Sequence, residues 1–122
     1  MSKITIRKAT SEDAALILSF VHELAKEEKA EHEVETSKEQ LAKTLFGKNS
    51  TSHVIICEAE GVPIGHAVYF FNYSTWQGKN GLYIEDLYIL GSTPILLANY
   101  FVFFLFFLFF FSQSSCSLIK SW

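Results

Sequence analysis

With 122 residues, 49% of them apolar and 19% charged, the chain is long enough for one small domain with a modest core and too hydrophobic for intrinsic disorder. Its net charge of −3 leaves no basic excess to neutralise phosphates, which argues against a nucleic-acid partner. Two cysteines, Cys57 and Cys116, show neither metal-ligand spacing nor a disulfide framework. The N-terminus also lacks the apolar run of a secretory signal, so a reducing, cytoplasmic setting is expected.

Residues 3 to 7 alternate around Ile4 and Ile6, which predicts a short strand. Thr10 with Asp13 three residues on is a capping-box-like start. Ile17, Phe20, Val21 and Leu24 then recur at helical spacing, widened by Leu16 and Ala25, which predicts a helix over 11–26. Glu27, Glu28, Glu31, Glu33 and Glu35 follow, among Lys29 and His32. They read either as a solvated helix end or as an acidic rim that attracts a cation. Thr36 and Glu39 frame a second capping box, and Leu41, Ala42, Leu45 and Phe46 give a short helix with Gly47 as its expected stop.

The stretch 53–59 is β-branched and apolar, Glu60-Gly61 makes a turn, and 62–73 resumes as a long strand. A loop over 74–81 carries Trp76, and 82–90 is a fourth strand packing through Leu82, Ile84, Leu87 and Ile89. The order β-α-α-β-β-β, with long antiparallel strands after two helices, defines an α+β fold. His22, His32, His53 and His66 show no ligand spacing and read as ordinary, and no metal site is expected. Cys57 reads as a core thiol.

Beyond residue 90 the chain changes character. Of 23 charged side chains, Lys120 alone follows Asp86, and eight of the 12 Phe fall in 101–111. Residues 1–90 and 91–122 are therefore read as separate parts. The densest apolar run, 95–111, would span roughly 25 Å as a helix, slightly short of a bilayer core of about 30 Å. Three readings stand for it: a membrane anchor, buried core, or an extension foreign to the domain. An all-apolar run with no polar face argues against core, and the Phe/Leu/Ser/Val mix favours the extension.

The first strand and helix resemble the opening of the GNAT N-acetyltransferases. A more specific likeness lies in Tyr69-Phe70-Phe71, Trp76-Gln77-Gly78-Lys79 and Tyr83-Ile84-Glu85-Asp86, which resemble the diamine acetyltransferase branch that acts on spermidine, spermine or thialysine. The resemblance covers about 3–90. It implies direct attack of a small primary amine on acetyl-CoA, with no protein nucleophile. By the same likeness Trp76, Glu85 and Asp86 line the amine site, Leu87, Tyr88 and Ile89 meet the pantetheine arm, and a homodimer is expected. Adjacent strand residues point to opposite faces. Glu85 and Asp86 can therefore share a pocket only from an edge, at a bulge or across a dimer interface.

The family's pattern continues with a Gly-rich, Arg-containing loop that cradles the pyrophosphate of CoA at a helix N-terminus. Here the chain reads Gly91-Ser92-Thr93-Pro94 and enters the Phe run, and the family's general-acid Tyr has no counterpart. The expectation is an incomplete N-acetyltransferase that is inactive alone, with an apolar edge at its last strand. The alternative is a non-catalytic module, either membrane-anchored or pairing with an acetyltransferase partner.

Overall fold

In the computed structural model, which describes residues 3–114 with side chains through Leu105, the alternating segment at the start forms β1 (Ile4–Lys8). A single tight turn over Ser11–Asp13 leads into α1 (Ala14–Glu27). The turn is fixed as the sequence suggests. The Asp13 carboxylate accepts the Thr10 backbone N–H at 2.8 Å, and the Asp13 N–H donates to the Thr10 carbonyl at 2.9 Å. Asp13 also takes both arms of the Arg7 guanidinium at 2.9 Å each, so the helix start is tied to β1. Arg7 reaches Glu58 as well, at 3.4 Å. The Arg7 fork holds the Asp13 carboxyl below its usual range.

The second helix, α2 (Lys38–Leu45), starts one residue later than its expected cap. Ser37, not Thr36, takes the cap, and its hydroxyl accepts the Gln40 N–H at 3.1 Å. Phe46 holds the C-cap position expected of Gly47. Glycine is needed at 47 for a different reason: a Cβ there would run into the Lys43 carbonyl.

Three further strands follow: β2 (Ser52–Ala59), β3 (Val62–Ser74) and β4 (Lys79–Ile89). Glu60 and Gly61 both have positive φ, 51° and 77°, the signature of a two-residue hairpin turn whose twist matches the strands it joins. The sheet runs β1-β2-β3-β4, antiparallel throughout, so the expected α+β order stands. The β3–β4 connection is shorter than the expected 74–81 loop. Lys79, Asn80 and Gly81 pair with Ser74, Tyr73 and Asn72, which extends the ladder beyond the core.

The two faces of the sheet are covered differently. On one, Val54 and Val68 pack against Ile17 of α1, with Leu41 and Leu45 of α2 beside them. On the other lie Ile55, Cys57, Ala67 and Tyr69. That face is covered by α3 (Ile95–Ser114), the apolar run itself. Phe101 is 1% exposed and, with Leu105, belongs to the same buried cluster as the β2 and β3 side chains. The described part of the run thus supplies core, the role that its missing polar face argued against. Its water-facing side is apolar too: Ile95, Leu96, Tyr100 and Phe103 are exposed. Among the residues whose side chains are described, no helix is long and apolar enough to cross a membrane. The end of the span read at 95–111, together with Cys116 and Lys120, lies outside them.

Candidate functional site

The β3–β4 ladder slips at one point. Val68 pairs with Asp86 and Tyr69 with Ile84, which leaves Glu85 as an extra residue in β4. A bulge of this kind bends the strand and re-aims a side chain. It resolves the geometric problem posed by two adjacent acids, because the alternation is broken at Glu85. Asp86 lies on the face toward α1, half-buried, and Glu85 is exposed.

Burial raises the Asp86 carboxyl, and the charges of Glu85 and Glu28 raise it further. Glu28 comes from the acidic segment after α1 and is near enough for its charge to be felt at Asp86. Next along β4, Tyr88 is buried and packs its ring on Phe20 at 5.4 Å. Its hydroxyl is raised mainly by burial and then by Glu23 and Glu27 of α1. The seam between α1 and β4 is therefore an apolar contact rimmed by carboxylates. Lys26 is engaged there with Glu23 at 3.2 Å. Such a rim attracts a cation and desolvates part of it.

Trp76 is not brought to this cluster. It sits at the tip of the β3–β4 hairpin, 98% exposed, and the strand from Lys79 to Asp86 separates it from the acids by roughly 20 Å at about 3.3 Å per residue. Leu87, Tyr88 and Ile89 close β4, paired with Ala67, His66 and Gly65. Gly65 is obligatory there, because a Cβ would strike the Tyr88 carbonyl. Leu87 and Ile89 face the α3 side, packed against its cluster.

One buried group was read as ordinary in the sequence. His66 is 0% exposed, and neither ring nitrogen has a hydrogen-bond partner among the described residues. It meets Phe20 edge-on at 5.2 Å, and burial pushes the imidazole down to about 4. The only hint in the sequence is a histidine at an inward position of an apolar strand.

The end of β4 also tests the fit of acetyl-CoA, the co-substrate that the resemblance implies. The chain turns at Leu90, where the Thr93 N–H donates to the Leu90 carbonyl at 2.9 Å, and Pro94 opens α3 by accepting from Leu97 and Ala98. A helix therefore does begin just past β4. The turn, however, offers one glycine without positive φ and no arginine, so the nest of N–H groups that holds a pyrophosphate is not formed. The residues present do not fit that half of the molecule.

Four antiparallel strands with two helices on one face and a bulge in the fourth form a scaffold shared with known acetyltransferases. A possible acetyltransferase from Clostridium difficile 630 superposes with a TM-score of 0.66 at 23% identity, over 84% of this chain and 68% of the other. In sequence the chain is 36% identical to the thialysine N-epsilon-acetyltransferase of Mus musculus over 98 residues, which is 74% of this chain and 57% of the relative. The Sus scrofa enzyme of the same name gives 38% over 97 residues, 73% and 56% of the two chains. The chain belongs to the GNAT acetyltransferases. It spans a little over half the length of the relatives it matches, and no family model matches it.

Proposed function

We propose that this chain is the amine-accepting half of an acetyl-CoA-dependent N-acetyltransferase and that, as a single chain, it binds a small primary amine without acetylating it. The observation that carries this reading is the bulge at Glu85, which breaks the alternation between Glu85 and Asp86 and leaves Asp86 half-buried on the α1 face within the influence of the Glu85 and Glu28 charges. Carboxylates so placed pair with the ammonium of a diamine or an amino-acid-like amine. Acetyl transfer needs a neutral amine, and a half-buried carboxylate with a raised pKa is suited to take its proton. Thialysine, the substrate in the relatives' names, is such an amine, and polyamines are another. The pyrophosphate cradle has no counterpart at 91–94, so no transfer step is assigned to this chain alone.

Calorimetric titration of the purified chain with thialysine and with spermidine tests this. Binding should weaken about tenfold in Asp86→Asn and less in the exposed Glu85→Gln, since charge-assisted contacts count most where they are partly desolvated. Incubation with acetyl-CoA and either amine should release no free CoA thiol. Amine binding indifferent to both substitutions would remove the acceptor site, and steady thiol release would overturn the incompleteness.

A further inference from the structure

The sheet face that α1 covers continues toward the hairpin along β3 and β4. Val68 lies on that face against Ile17, and Phe70, two residues on, shares it. Phe70 pairs with Tyr83 across the ladder, and the two rings meet at 4.9 Å with a tilt of 32°. Val68 pairs with Asp86. Glu85 is the extra residue of the bulge, so Tyr83 and Asp86 are successive positions on this one face of β4. Being level with Phe70 and Val68, they stand about 7 Å apart along the strand, two residues at about 3.4 Å each.

The aromatic pair is packed on one side and open on the other. Phe70 is partly buried, whereas Tyr83 stays 50% exposed even with its ring on Phe70. An open ring beside a half-buried carboxylate offers two surfaces to one ligand. The carboxylate takes an ammonium, and the ring takes the carbon chain attached to it and favours the nearby positive charge. Trp76, at the hairpin tip, does not reach this point.

We propose that Tyr83, backed by Phe70, is the specificity wall of the amine site. An ammonium held at Asp86 lays its carbon arm along the Tyr83 ring, so affinity among small amines grows with the length of an uncharged, unbranched arm. The separation of about 7 Å, less a charged hydrogen bond of about 2.8 Å, suits an arm of roughly three to four carbons. Tyr83 acts through its ring and not through its hydroxyl. The proposal rests on the reading of Asp86 as the acceptor carboxylate.

Ligand-observed NMR titration of the full chain with methylamine, ethylamine, propylamine and butylamine tests it at fixed pH and salt. All four carry the same charge, so the arm alone varies. Wild-type affinity should rise about twofold per added carbon and about eightfold over the series, half-burial on one ring face giving about half the gain of full burial. Tyr83→Thr, which keeps a strand-forming residue, should flatten the series and cost butylamine about fivefold while leaving methylamine nearly unchanged. Tyr83→Phe should keep the wild-type slope. Asp86→Asn should weaken all four amines by a common factor and preserve the slope.

A flat wild-type series, or a slope that survives Tyr83→Thr, overturns the wall and leaves the acceptor carboxylate standing. Loss of the slope in Tyr83→Phe also overturns it, because the hydroxyl would then be the selecting group. An Asp86→Asn variant that binds every amine as wild type does overturns the acceptor reading instead. Failure of all four amines to bind wild type overturns both.

Discussion

Replacing His66 with phenylalanine should flatten the dependence of stability on pH. The imidazole is buried, without a hydrogen-bond partner among the described residues, and pushed down to about 4 from an ordinary 6.5. It is therefore neutral in the fold, whereas the unfolded chain takes up a proton as pH drops below 6.5. Stability contributed by the neutral form is intact above that value, falls as pH decreases, and is fully lost below about 4. The difference of about two and a half pH units corresponds to about 3 kcal/mol in total, or about 1.4 kcal/mol per pH unit inside the window. Phenylalanine removes two unsatisfied nitrogens, each worth about 1–3 kcal/mol when buried, and offsets part of that gain by its greater bulk against Phe20. Urea unfolding of both proteins at several pH values between 7 and 4.5 measures the effect. The carboxyl groups are the same in both proteins, so the difference between the two curves isolates residue 66. Parallel curves would refute the reasoning, since they would mean that the imidazole is charged or hydrogen-bonded in the fold.

Two further substitutions test the packing and the hairpin. Phe101→Ala should cost about 3–5 kcal/mol in urea unfolding if the apolar helix is core, and almost nothing if it is an appendage. Gly61→Ala should cost about 1 kcal/mol despite the open space around it, because the backbone at φ 77° is unfavourable for any residue with a Cβ. A Gly61→Asn variant, which tolerates that conformation better, should recover most of the loss in the same assay.

Much of this architecture was legible because local chemistry and long-range packing agree. Ile4 and Ile6 alternate, Ile17 and Phe20 share a helix face, and Glu60-Gly61 asks for the turn it makes. The errors have physical causes. Hydropathy starts β4 at Leu82, three residues late, because Lys79-Asn80-Gly81 pair with Ser74, Tyr73 and Asn72, and a ladder outside the core leaves no hydropathy signal. The packing of α3 was hidden for a related reason. Periodicity reveals the buried side of a helix only when the other side is polar, and this helix is apolar all round. Of the candidate site, strand geometry alone says that Glu85 and Asp86 need an edge, a bulge or a dimer interface to act together, and the bulge among these depends on the β3–β4 register. The exposure of Trp76 depends on hairpin length, which the polar residues around it did not fix.

The Arg7 fork has a bearing on how the chain reaches its fold. β2, β3 and β4 follow one another through short turns, so their ladders form between near neighbours in sequence and close quickly. β1 is different, because its partner β2 lies beyond both helices and the whole segment between them must be ordered before the ladder can zip. Arg7 shortens that search. By gripping Asp13 it fixes β1 to the start of α1 using contacts only six residues apart, so strand and helix can dock on the three-stranded meander as one preassembled piece. Its remaining reach, to Glu58, then registers that piece against β2 as the loop closes.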